Sequence, residues 1–275
     1  MSSLPLHVER SAGSDAAGVP IVMLHGWAMN LRVFDRLRAD LDTPDARHVP
    51  LHSWAIDLPG HGRSPWSEGA AGFEAQCAAV LAALPPRCVL AGWSMGAKIA
   101  MALAAQHPSR VPALVLMSAS PRFSRSEDWP AGADPHTLQV FEDMVQRDWQ
   151  QLIEDFLWLQ VRGTQQAEET LGELQAALQA QGEPRREALL DGLRLLGEVD
   201  LRPMLAGLRQ PALIIAGRND RVTLPAAARW LAQALPGAKL LEISRAGHAP
   251  FISHHAQVAA AIRGFIDTLP PGAMR

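Results

Sequence analysis

Short apolar runs alternate with longer amphipathic stretches along most of this chain, and this alternation restricts its fold more than any other feature. The runs are rich in β-branched residues and lack regular polar alternation, which is typical of strands buried on both faces of a parallel sheet. Strands that alternate with helices indicate βαβ units. We therefore predict buried strands within six segments, at 20–26, 52–62, 88–92, 111–119, 211–220 and 239–244.

The amphipathic stretches between these strands predict helices over 31–41, 73–84, 94–108, 226–235 and 254–269. The alternation stops between Pro121 and Val199, where the chain has helical patterns and no strand-like run. We therefore predict one α/β core domain, residues 1–121 and 200–275, interrupted by a helical cap at 122–199.

The composition limits the classes of function. The chain has 275 residues, of which 48% are hydrophobic and 19% charged, which is ordinary for a globular enzyme with a substantial core. A net charge of −3 gives no reason to expect nucleic acid as a partner. No apolar run approaches the roughly 18–20 residues that cross a bilayer, and the N-terminus lacks the pattern of a signal peptide. We expect a cytoplasmic protein that binds neither nucleic acid nor membrane, and we expect it to be a monomer.

The sequence also gives no sign of metal or disulfide chemistry. Cys77 and Cys88 are too few for a disulfide framework and lie in apolar segments, so we expect buried free thiols. No cluster of His, Cys, Asp or Glu has metal-ligand spacing. The segment Gly60-His61-Gly62 lacks the lysine and the helix start of a phosphate-binding loop. We therefore expect no metal and no cofactor.

One serine stands between two glycines where a predicted strand meets a predicted helix, in Gly92-Trp93-Ser94-Met95-Gly96. This is the nucleophile-elbow pattern, in which small neighbours allow the serine a strained backbone conformation at a sharp turn. The N-terminus of the following helix favours negative charge that develops nearby. The alternative is an ordinary polar residue in a tight turn, and the position between strand and helix favours a nucleophile.

A serine nucleophile needs a base, and the base needs an acid that orients it. On such an elbow the acid and then the histidine follow the serine, on loops after later strands. Asp220 follows the fifth predicted strand, and His248 follows the sixth. We therefore predict Ser94, Asp220 and His248 as the catalytic residues. The alternatives are Asp200 as the acid and His254 or His255 as the base.

The carbonyl oxygen under attack needs two N–H donors, which form an oxyanion hole. We predict the backbone N–H of Met95, which follows the nucleophile, and that of Trp27, which follows the first predicted strand. Trp27 is alternatively a core aromatic residue, and its indole can also line the pocket. In the Gly/Pro-rich segment DLPGHGRS, we interpret Asp57 and Arg63 as loop braces and Ser64 as structural.

Five motifs mark the ends of the predicted strands, namely LHGWAMN, DLPGHGRS, GWSMG, GRND and AGHAPF. Through them the chain resembles the α/β-hydrolase superfamily over nearly its whole length. The resemblance implies a mostly parallel central sheet flanked by helices, with the helical cap inserted after the sixth strand.

Three further stretches, SEDWPAG, FLWLQ and HAPFISH, are similar to a narrower group, the methyl ester esterases of biotin synthesis. This similarity implies a serine carboxylesterase that removes a methyl group from a pimeloyl thioester on acyl carrier protein. It also implies Ser94, Asp220 and His248 as the triad. The substrate contacts that it implies are Trp27, Ser94, Met95 and His248 in the core and Phe156, Leu157, Trp158, Leu159 and Gln160 in the cap. From the sequence pattern alone, FLWLQ is equally the apolar face of a helix.

The charge of the cap departs from what this similarity implies. Residues 121–199 hold 15 Asp or Glu against 7 Arg and no Lys, whereas an acidic carrier protein should dock on a basic surface. Either the carrier uses a local patch such as Arg122, Arg125 and Arg162, or the substrate is a small free ester. Three hypotheses stay open: the biotin-pathway esterase, a general short-chain carboxylesterase without a carrier partner, and a ligand-sensing protein with little turnover.

Overall fold

The predicted strands form one sheet in the computed structural model, which describes residues 4–11, 19–44, 51–270 and 272–273. Its seven strands are β1 (Val8–Arg10), β2 (Ile21–Leu24), β3 (Ser53–Ile56), β4 (Val89–Trp93), β5 (Ala113–Met117), β6 (Ala212–Gly217) and β7 (Lys239–Ile243). Their order across the sheet is β1-β3-β2-β4-β5-β6-β7. Strand β1 is antiparallel to β3, and the other neighbouring pairs are parallel. The predicted α/β fold class is confirmed.

Two features differ from the expectations. The sequence does not reveal β1, because Val8-Glu9-Arg10 has no hydrophobic run; pairing with β3, with Val8 opposite Ile56, makes it a strand. In the described part of the chain, the cap follows the fifth strand and not the sixth, because the sheet begins with β1 and has five strands before residue 122.

The helices of the described residues are α1 (Asp35–Asp42), α2 (Phe73–Ala83), α3 (Met95–Gln106), α4 (Pro135–Arg147), α5 (Trp149–Val161), α6 (Ala167–Gln181), α7 (Arg186–Glu198), α8 (Arg202–Leu205), α9 (Pro225–Ala234), α10 (Pro250–Ser253) and α11 (His255–Ile266). The predicted helix at 31–41 begins as a 3-10 turn over Leu31–Phe34. Within the described ranges, none of the helices combines the length and the apolar character needed to span a bilayer.

The core lies around the middle of the sheet. Strands β2, β4, β5 and β6 consist of buried residues only. Helix α3 packs on β4 and β5, α9 packs on β6 and β7, and α1 packs on α11. Continuous apolar strands are the sequence sign of this burial. Because the strand residues are occupied with packing, polar functional groups come from the loops at the strand ends.

Helices α4 to α7 lie in the segment 122–199, for which we keep the name cap. The side chains of Asp134 and Asp148 accept backbone hydrogen bonds at the N-termini of α4 and α5, which explains where these helices begin. The cap is hydrogen-bonded to the core: Nδ2 of Asn30, a fully buried residue, donates to the Ala177 carbonyl of α6 at 2.9 Å.

Candidate active site

Ser94 lies at the turn between β4 and α3, with φ 55° and ψ −114°. A positive φ is strained for a residue other than glycine. Two contacts hold the turn. The Ser94 N–H donates to the Met117 carbonyl at 3.0 Å, and Gly96 lies so close to β2 that a Cβ there would come within 2.3 Å of the Leu24 carbonyl oxygen. The elbow is therefore built by backbone contacts that only a glycine at position 96 permits.

Asp220 and His248 form a buried pair. They follow β6 and β7, and parallel strands bring these loops to one edge of the sheet. Oδ2 of Asp220 lies 2.8 Å from Nδ1 of His248, with both side chains almost fully buried. Oδ1 of Asp220 accepts hydrogen bonds from the backbone N–H groups of Val222 at 2.9 Å and Thr223 at 3.0 Å. The carboxylate is thus held with one oxygen directed at the imidazole.

The neighbours of His248 orient its imidazole. The indole Nε1 of Trp93, the residue before Ser94, donates to the His248 carbonyl at 2.7 Å, and the two rings lie 5.4 Å apart. The His248 N–H donates to the Gln160 carbonyl of the cap at 3.0 Å. Nε2 is buried and has no hydrogen-bond partner among the residues that the structure describes. With Nδ1 beside Asp220, Nε2 is the ring nitrogen available for proton transfer.

Trp27 and Met95 lie beneath cap helix α7, and both are buried. A Cβ on Gly192 of α7 would lie 2.5 Å from Cδ1 of Trp27 and 3.4 Å from Sδ of Met95. Met95 is the first residue of α3, where the N–H groups have no acceptor within the helix. Trp27 lies in the turn after β2. The absence of a side chain at Gly192 lets the cap approach the two residues of the predicted oxyanion hole.

An aromatic cluster joins core and cap around Trp27. Phe156 meets Trp27 edge to face with 5.0 Å between ring centroids, and Phe141 stacks on Trp27 at 6.0 Å. The Trp27 indole Nε1 donates to the Leu189 carbonyl of α7 at 2.9 Å, so its polar group is satisfied. Trp27 is therefore a core aromatic, as one interpretation of the sequence has it. Together the three rings form an apolar wall of the kind that lines small-molecule sites.

The segment FLWLQ divides between several environments. Phe156 and Gln160 are four residues apart on α5 and so share a face, and that face is turned to the core. Leu157 instead lines a groove between α5 and α6, and Leu159 is half-buried. Trp158 is 46% exposed and lies on the opposite side of the helix from Phe156. The expectation that Trp158 contacts the substrate therefore does not fit the geometry.

Gln160 has a buried amide close to the acid–histidine pair. Its carbonyl accepts from the His248 N–H, and its side chain is 1% exposed. Neither Oε1 nor Nε2 of the amide has a hydrogen-bond partner in the described residues. A buried amide of this kind is costly unless something else satisfies it.

The alternative acid and bases lie elsewhere. Asp200 accepts from the Arg202 guanidinium at 2.7 Å, at the end of the cap. His255 is paired with Asp40, and His254 is hydrogen-bonded to the neighbouring serine hydroxyl. Over the described ranges, none of these side chains is hydrogen-bonded to Asp220 or His248, which the structure brings together instead.

The segment DLPGHGRS braces the neighbouring loops. Oδ1 of Asp57 accepts from the Leu31 N–H at 2.8 Å, and Oδ2 accepts from the Arg63 N–H at 2.9 Å. The Ser64 hydroxyl donates to the Asp57 carbonyl at 2.6 Å and accepts from the His7 N–H at 2.8 Å. These bonds agree with the structural roles expected for Asp57 and Ser64, and Arg63 takes part through its backbone.

Burial controls the ionisation of nearby histidines and cysteines. The rings of His25 and His61 lie 5.3 Å apart. Burial lowers the pKa of His61 to about 4 and holds the pKa of His25 well below its usual range. Cys77 and Cys88 are buried free thiols, as expected, and burial raises the pKa of each to about 12. In the described residues, no group of three or more His, Cys, Asp or Glu side chains could hold a metal ion.

Two residues that orient the pair were not evident from the sequence. Oγ1 of Thr223 lies 3.1 Å from both Asp220 Oδ2 and His248 Nδ1, and 2.9 Å from the Ser118 carbonyl. A threonine three residues after an acid is a weak signal by itself. Trp93 stands inside the elbow motif, but nothing in the motif indicates a contact with a residue 155 positions away.

A mostly parallel sheet that carries a serine elbow after one strand, and an acid and a histidine after later strands, is the architecture of the α/β hydrolases. The α/β-hydrolase fold family matches residues 19–255 of this chain. The chain therefore belongs to the α/β-hydrolase family.

Its curated relatives include two proteins named pimeloyl-[acyl-carrier protein] methyl ester esterase. That of Stenotrophomonas maltophilia (strain K279a) is 40% identical over 254 residues, which cover 92% of this chain and 95% of that protein. That of Nitrosospira multiformis is 36% identical over 271 residues, which cover 96% of this chain and 99% of that protein.

Two solved structures share the fold at low sequence identity. The enol-lactonase from Burkholderia xenovorans LB400 has a TM-score of 0.80 at 22% identity and covers 95% of this chain and 96% of its own. The esterase EaEST from Exiguobacterium antarcticum has a TM-score of 0.82 at 20% identity and covers 96% of each chain.

Proposed function

We propose that this chain is a serine carboxylesterase with Ser94 as nucleophile, His248 as general base and Asp220 as the acid that orients it. The buried 2.8 Å contact between Asp220 and Nδ1 of His248 carries the proposal, because it leaves Nε2 to accept a proton. The strained backbone of Ser94 adds support, since strain of this kind persists at functional sites that the surrounding structure holds in place.

In the acylation step, Oγ of Ser94 gives its proton to Nε2 of His248 and attacks the ester carbonyl carbon. Asp220 stabilises the imidazolium that forms. The backbone N–H groups of Met95 and Trp27 hydrogen-bond the oxyanion, and one such donor is worth about 3–4 kcal/mol in comparable sites. His248 then protonates the departing alcohol, which leaves an acyl group on Ser94.

In the deacylation step, the same imidazole removes a proton from water, which attacks the acyl carbonyl. The second oxyanion collapses, Ser94 takes back its proton from His248, and the carboxylic acid leaves. One histidine therefore serves as base and acid in turn, which requires that Asp220 hold the ring in one orientation throughout the cycle.

We propose that the ester is the methyl ester of a pimeloyl group on acyl carrier protein, as in biotin synthesis. The names of the two curated relatives support this, since they match almost the whole chain. The ring cluster of Trp27, Phe141 and Phe156 suits the hydrocarbon chain of a pimeloyl group. The buried amide of Gln160 offers a hydrogen bond to a polar group of the same substrate. Residues 122–199 act as the cap over the Asp220–His248 pair, which Gln160 contacts through its backbone carbonyl.

A general short-chain carboxylesterase is the second candidate, favoured by the acidic cap, with 15 Asp or Glu against 7 Arg over residues 121–199. Such a surface repels an acidic carrier protein unless a local basic surface is present. The third hypothesis, a ligand sensor with little turnover, is disfavoured because backbone N–H groups hold the Asp220 carboxylate against Nδ1 of His248, which leaves Nε2 for proton transfer.

Substitution of the three residues tests the chemistry on a p-nitrophenyl ester. Ser94→Ala should lower kcat by on the order of 10⁶-fold, and Asp220→Asn by on the order of 10⁴-fold. His254→Gln is the matched control for His248→Gln, because the two histidines lie in one segment and only His248 contacts Asp220. A folded Ser94→Ala variant with full activity, or equal effects of the two histidine substitutions, would refute the assignment.

The substrate is tested by comparing kcat/KM for methyl pimeloyl-[acyl-carrier protein] with that for a short p-nitrophenyl ester, at low and at moderate salt. We expect a strong preference for the carrier-bound ester that weakens as salt rises. Equal turnover of both esters, insensitive to salt, would instead identify a general esterase. Turnover of neither would favour the sensor.

A further inference from the structure

Four exposed arginines lie on the three loops around the Asp220–His248 pair. Arg162 directly follows α5, Arg218 and Arg221 follow β6, and Arg245 follows β7. For Arg162, Arg218 and Arg221, no carboxylate of the described residues lies within ion-pair distance, and the guanidinium of Arg245 donates to a neutral amide oxygen at 3.2 Å. We call these four residues the arginine rim.

Hydrogen bonds between the loops make the arginine rim one surface. Nδ2 of Asn219 donates to the Gly163 carbonyl at 2.7 Å, and the Asn219 N–H donates to the Ala246 carbonyl at 2.9 Å. A Cβ on Gly163 would lie 3.3 Å from Nη2 of Arg221, so this guanidinium packs over the α5–α6 loop. The cap and core loops that carry the four arginines are therefore joined to each other beside the candidate catalytic pair.

The other cap arginines named as a docking patch are neutralised. Arg122 lies 3.5 Å from carboxylate oxygens of both Asp128 and Asp200, and Arg125 lies 3.0 Å from Asp134. Ion pairs of this kind leave little net field for a distant partner. Of the three arginines that the sequence suggested as a docking patch, only Arg162 belongs to the arginine rim.

The acidic side chains of the cap border the arginine rim. Glu154 and Asp155 are exposed on α5 before Arg162, and Glu168 is exposed in the first turn of α6 after it. Acidic residues beside a basic patch repel an acidic partner that approaches in the wrong orientation, and so favour binding at the patch. The acidic cap is thus compatible with an acidic partner, provided that the partner binds at the arginine rim.

Exposed apolar side chains occur in the same elements. Trp158 is 46% exposed on α5, four residues before Arg162, and Leu224 is 38% exposed three residues after Arg221. Helical residues four apart lie on one face, so Trp158 and Arg162 point to the same side. Tryptophan and arginine are the residues most enriched at the energetic centres of protein interfaces.

We propose that the arginine rim, together with Trp158, is the docking surface for the acidic carrier protein that delivers the ester. The inference rests on the carrier-bound substrate proposed above. It places the carrier over the loops that hold Asp220 and His248 and over the C-terminal turn of α5, and not on the remaining, acidic surface of the cap helices. It also gives the exposed Trp158 a role in binding the carrier protein, because its position on the surface does not allow a contact with the buried acyl chain.

The test is a pair of charge reversals. The variant Arg162→Glu with Arg218→Glu removes two cations of the arginine rim that have no ion-pair partner in the described chain. The matched control, Arg209→Glu with Lys239→Glu, reverses the same number of exposed charges at the other ends of the same strands. Arg209 lies before β6, and Lys239 is the first residue of β7. Each variant is assayed with methyl pimeloyl-[acyl-carrier protein] and with a p-nitrophenyl ester.

We expect the rim variant to lose about tenfold or more of kcat/KM for the carrier-bound ester at low salt, through KM, and to keep turnover of the small ester. The control should stay within about twofold of the wild type on both esters. The salt dependence of the carrier reaction should be weaker in the rim variant than in the wild type.

The outcomes separate the two proposals. If the wild type prefers the carrier-bound ester and the rim variant retains that preference, or the control loses as much, the docking surface is wrong and the proposed function stands. If the wild type has no preference for the carrier-bound ester, both the docking surface and the carrier-bound substrate are wrong. A loss on both esters in the rim variant would show damage to the pair, and would also overturn the docking role.

Discussion

At the scale of single residues, the hydrogen bonds to the Asp220 carboxylate fix its orientation toward the imidazole of His248. Two backbone N–H groups hold Oδ1, whereas Oδ2 is shared between His248 and the hydroxyl of Thr223. The same hydroxyl lies 2.9 Å from the Ser118 carbonyl, so Thr223 links the acid to the end of β5. A carboxylate that also accepts side-chain hydrogen bonds is held in one orientation more firmly than one held by backbone N–H groups alone.

Replacing this hydroxyl should therefore slow catalysis without removing it. We expect Thr223→Val to lower kcat about fivefold, because one hydrogen bond is worth about 1 kcal/mol. Thr223→Ser keeps the hydroxyl and should stay close to the wild type. The measurement is steady-state turnover of a p-nitrophenyl ester. A loss in the serine variant that the valine variant does not share would show that packing of the threonine methyl group matters, and not the hydroxyl.

At the scale of elements, Lys98 of α3 connects the two ends of the cap. It is 2% exposed, and its Nζ donates to the carbonyls of Pro121 at 3.0 Å and Val199 at 2.9 Å. Pro121 is the residue before the cap, and Val199 is the last residue of the cap. Burial lowers the pKa of Lys98 to about 7. One side chain, four residues after the proposed nucleophile, thus holds together the points where the chain leaves and re-enters the core.

Lys98→Met should destabilise the protein by about 1–3 kcal/mol near neutral pH, because it leaves two buried carbonyls without a donor. The loss should grow as the pH rises. Between the folded pKa of about 7 and the unfolded pKa of about 10.5, the unfolded chain holds a proton that folded Lys98 has released, so wild-type stability rises relative to the variant.

The measurement is urea unfolding of both proteins near pH 7 and pH 9.5, which lie within the titration range of a lysine amine perturbed in this way. Lys239→Met is the matched control, because Lys239 is the other lysine of the chain and is exposed. A destabilisation by Lys98→Met that stays constant or shrinks with rising pH would contradict the linkage.

At the scale of the whole molecule, burial of His61 links global stability to acid. The imidazole is 1% exposed and lies against His25, and its pKa is about 4 in the folded chain against 6.5 when exposed. A histidine whose folded pKa is lowered contributes stability above its unfolded pKa. That contribution is lost as the pH falls from 6.5 toward 4, because the unfolded chain binds the proton first.

His61→Gln removes this titration. We expect the wild type to lose about 2 kcal/mol more stability than His61→Gln between ~pH 7 and ~pH 5. Urea unfolding at the two pH values measures the difference, and His136→Gln, at an exposed position on α4, is the control. If His61→Gln loses as much stability as the wild type, protonation of His61 does not drive the acid sensitivity.

Much of this molecule could be predicted from its sequence, because the governing signals are local. The run ALIIAG reads as a buried strand by itself, and Gly92-Trp93-Ser94-Met95-Gly96 marks an elbow because a sharp turn needs small residues on either side. Chain order, together with positions directly after predicted strands, predicts Ser94, Asp220 and His248 over Asp200, His254 and His255. Short elements such as β1 escaped, because three residues with two charges become a strand only through a partner.

Other properties were decided by tertiary structure alone, because they depend on pairs of residues far apart in the chain. Helical periodicity places Phe156 and Gln160 on one face of α5, but only packing shows that this face meets Trp27 and the His248 loop. The sequence by itself thus determined the fold class and the choice of candidate catalytic residues, since both follow from periodicity and chain order. Only the tertiary structure decided which arginines are neutralised, because it brings Arg122 and Arg125 within a few ångströms of carboxylates. It also decided that the loops of the remaining arginines meet beside the Asp220–His248 pair, since these loops are far apart in the chain.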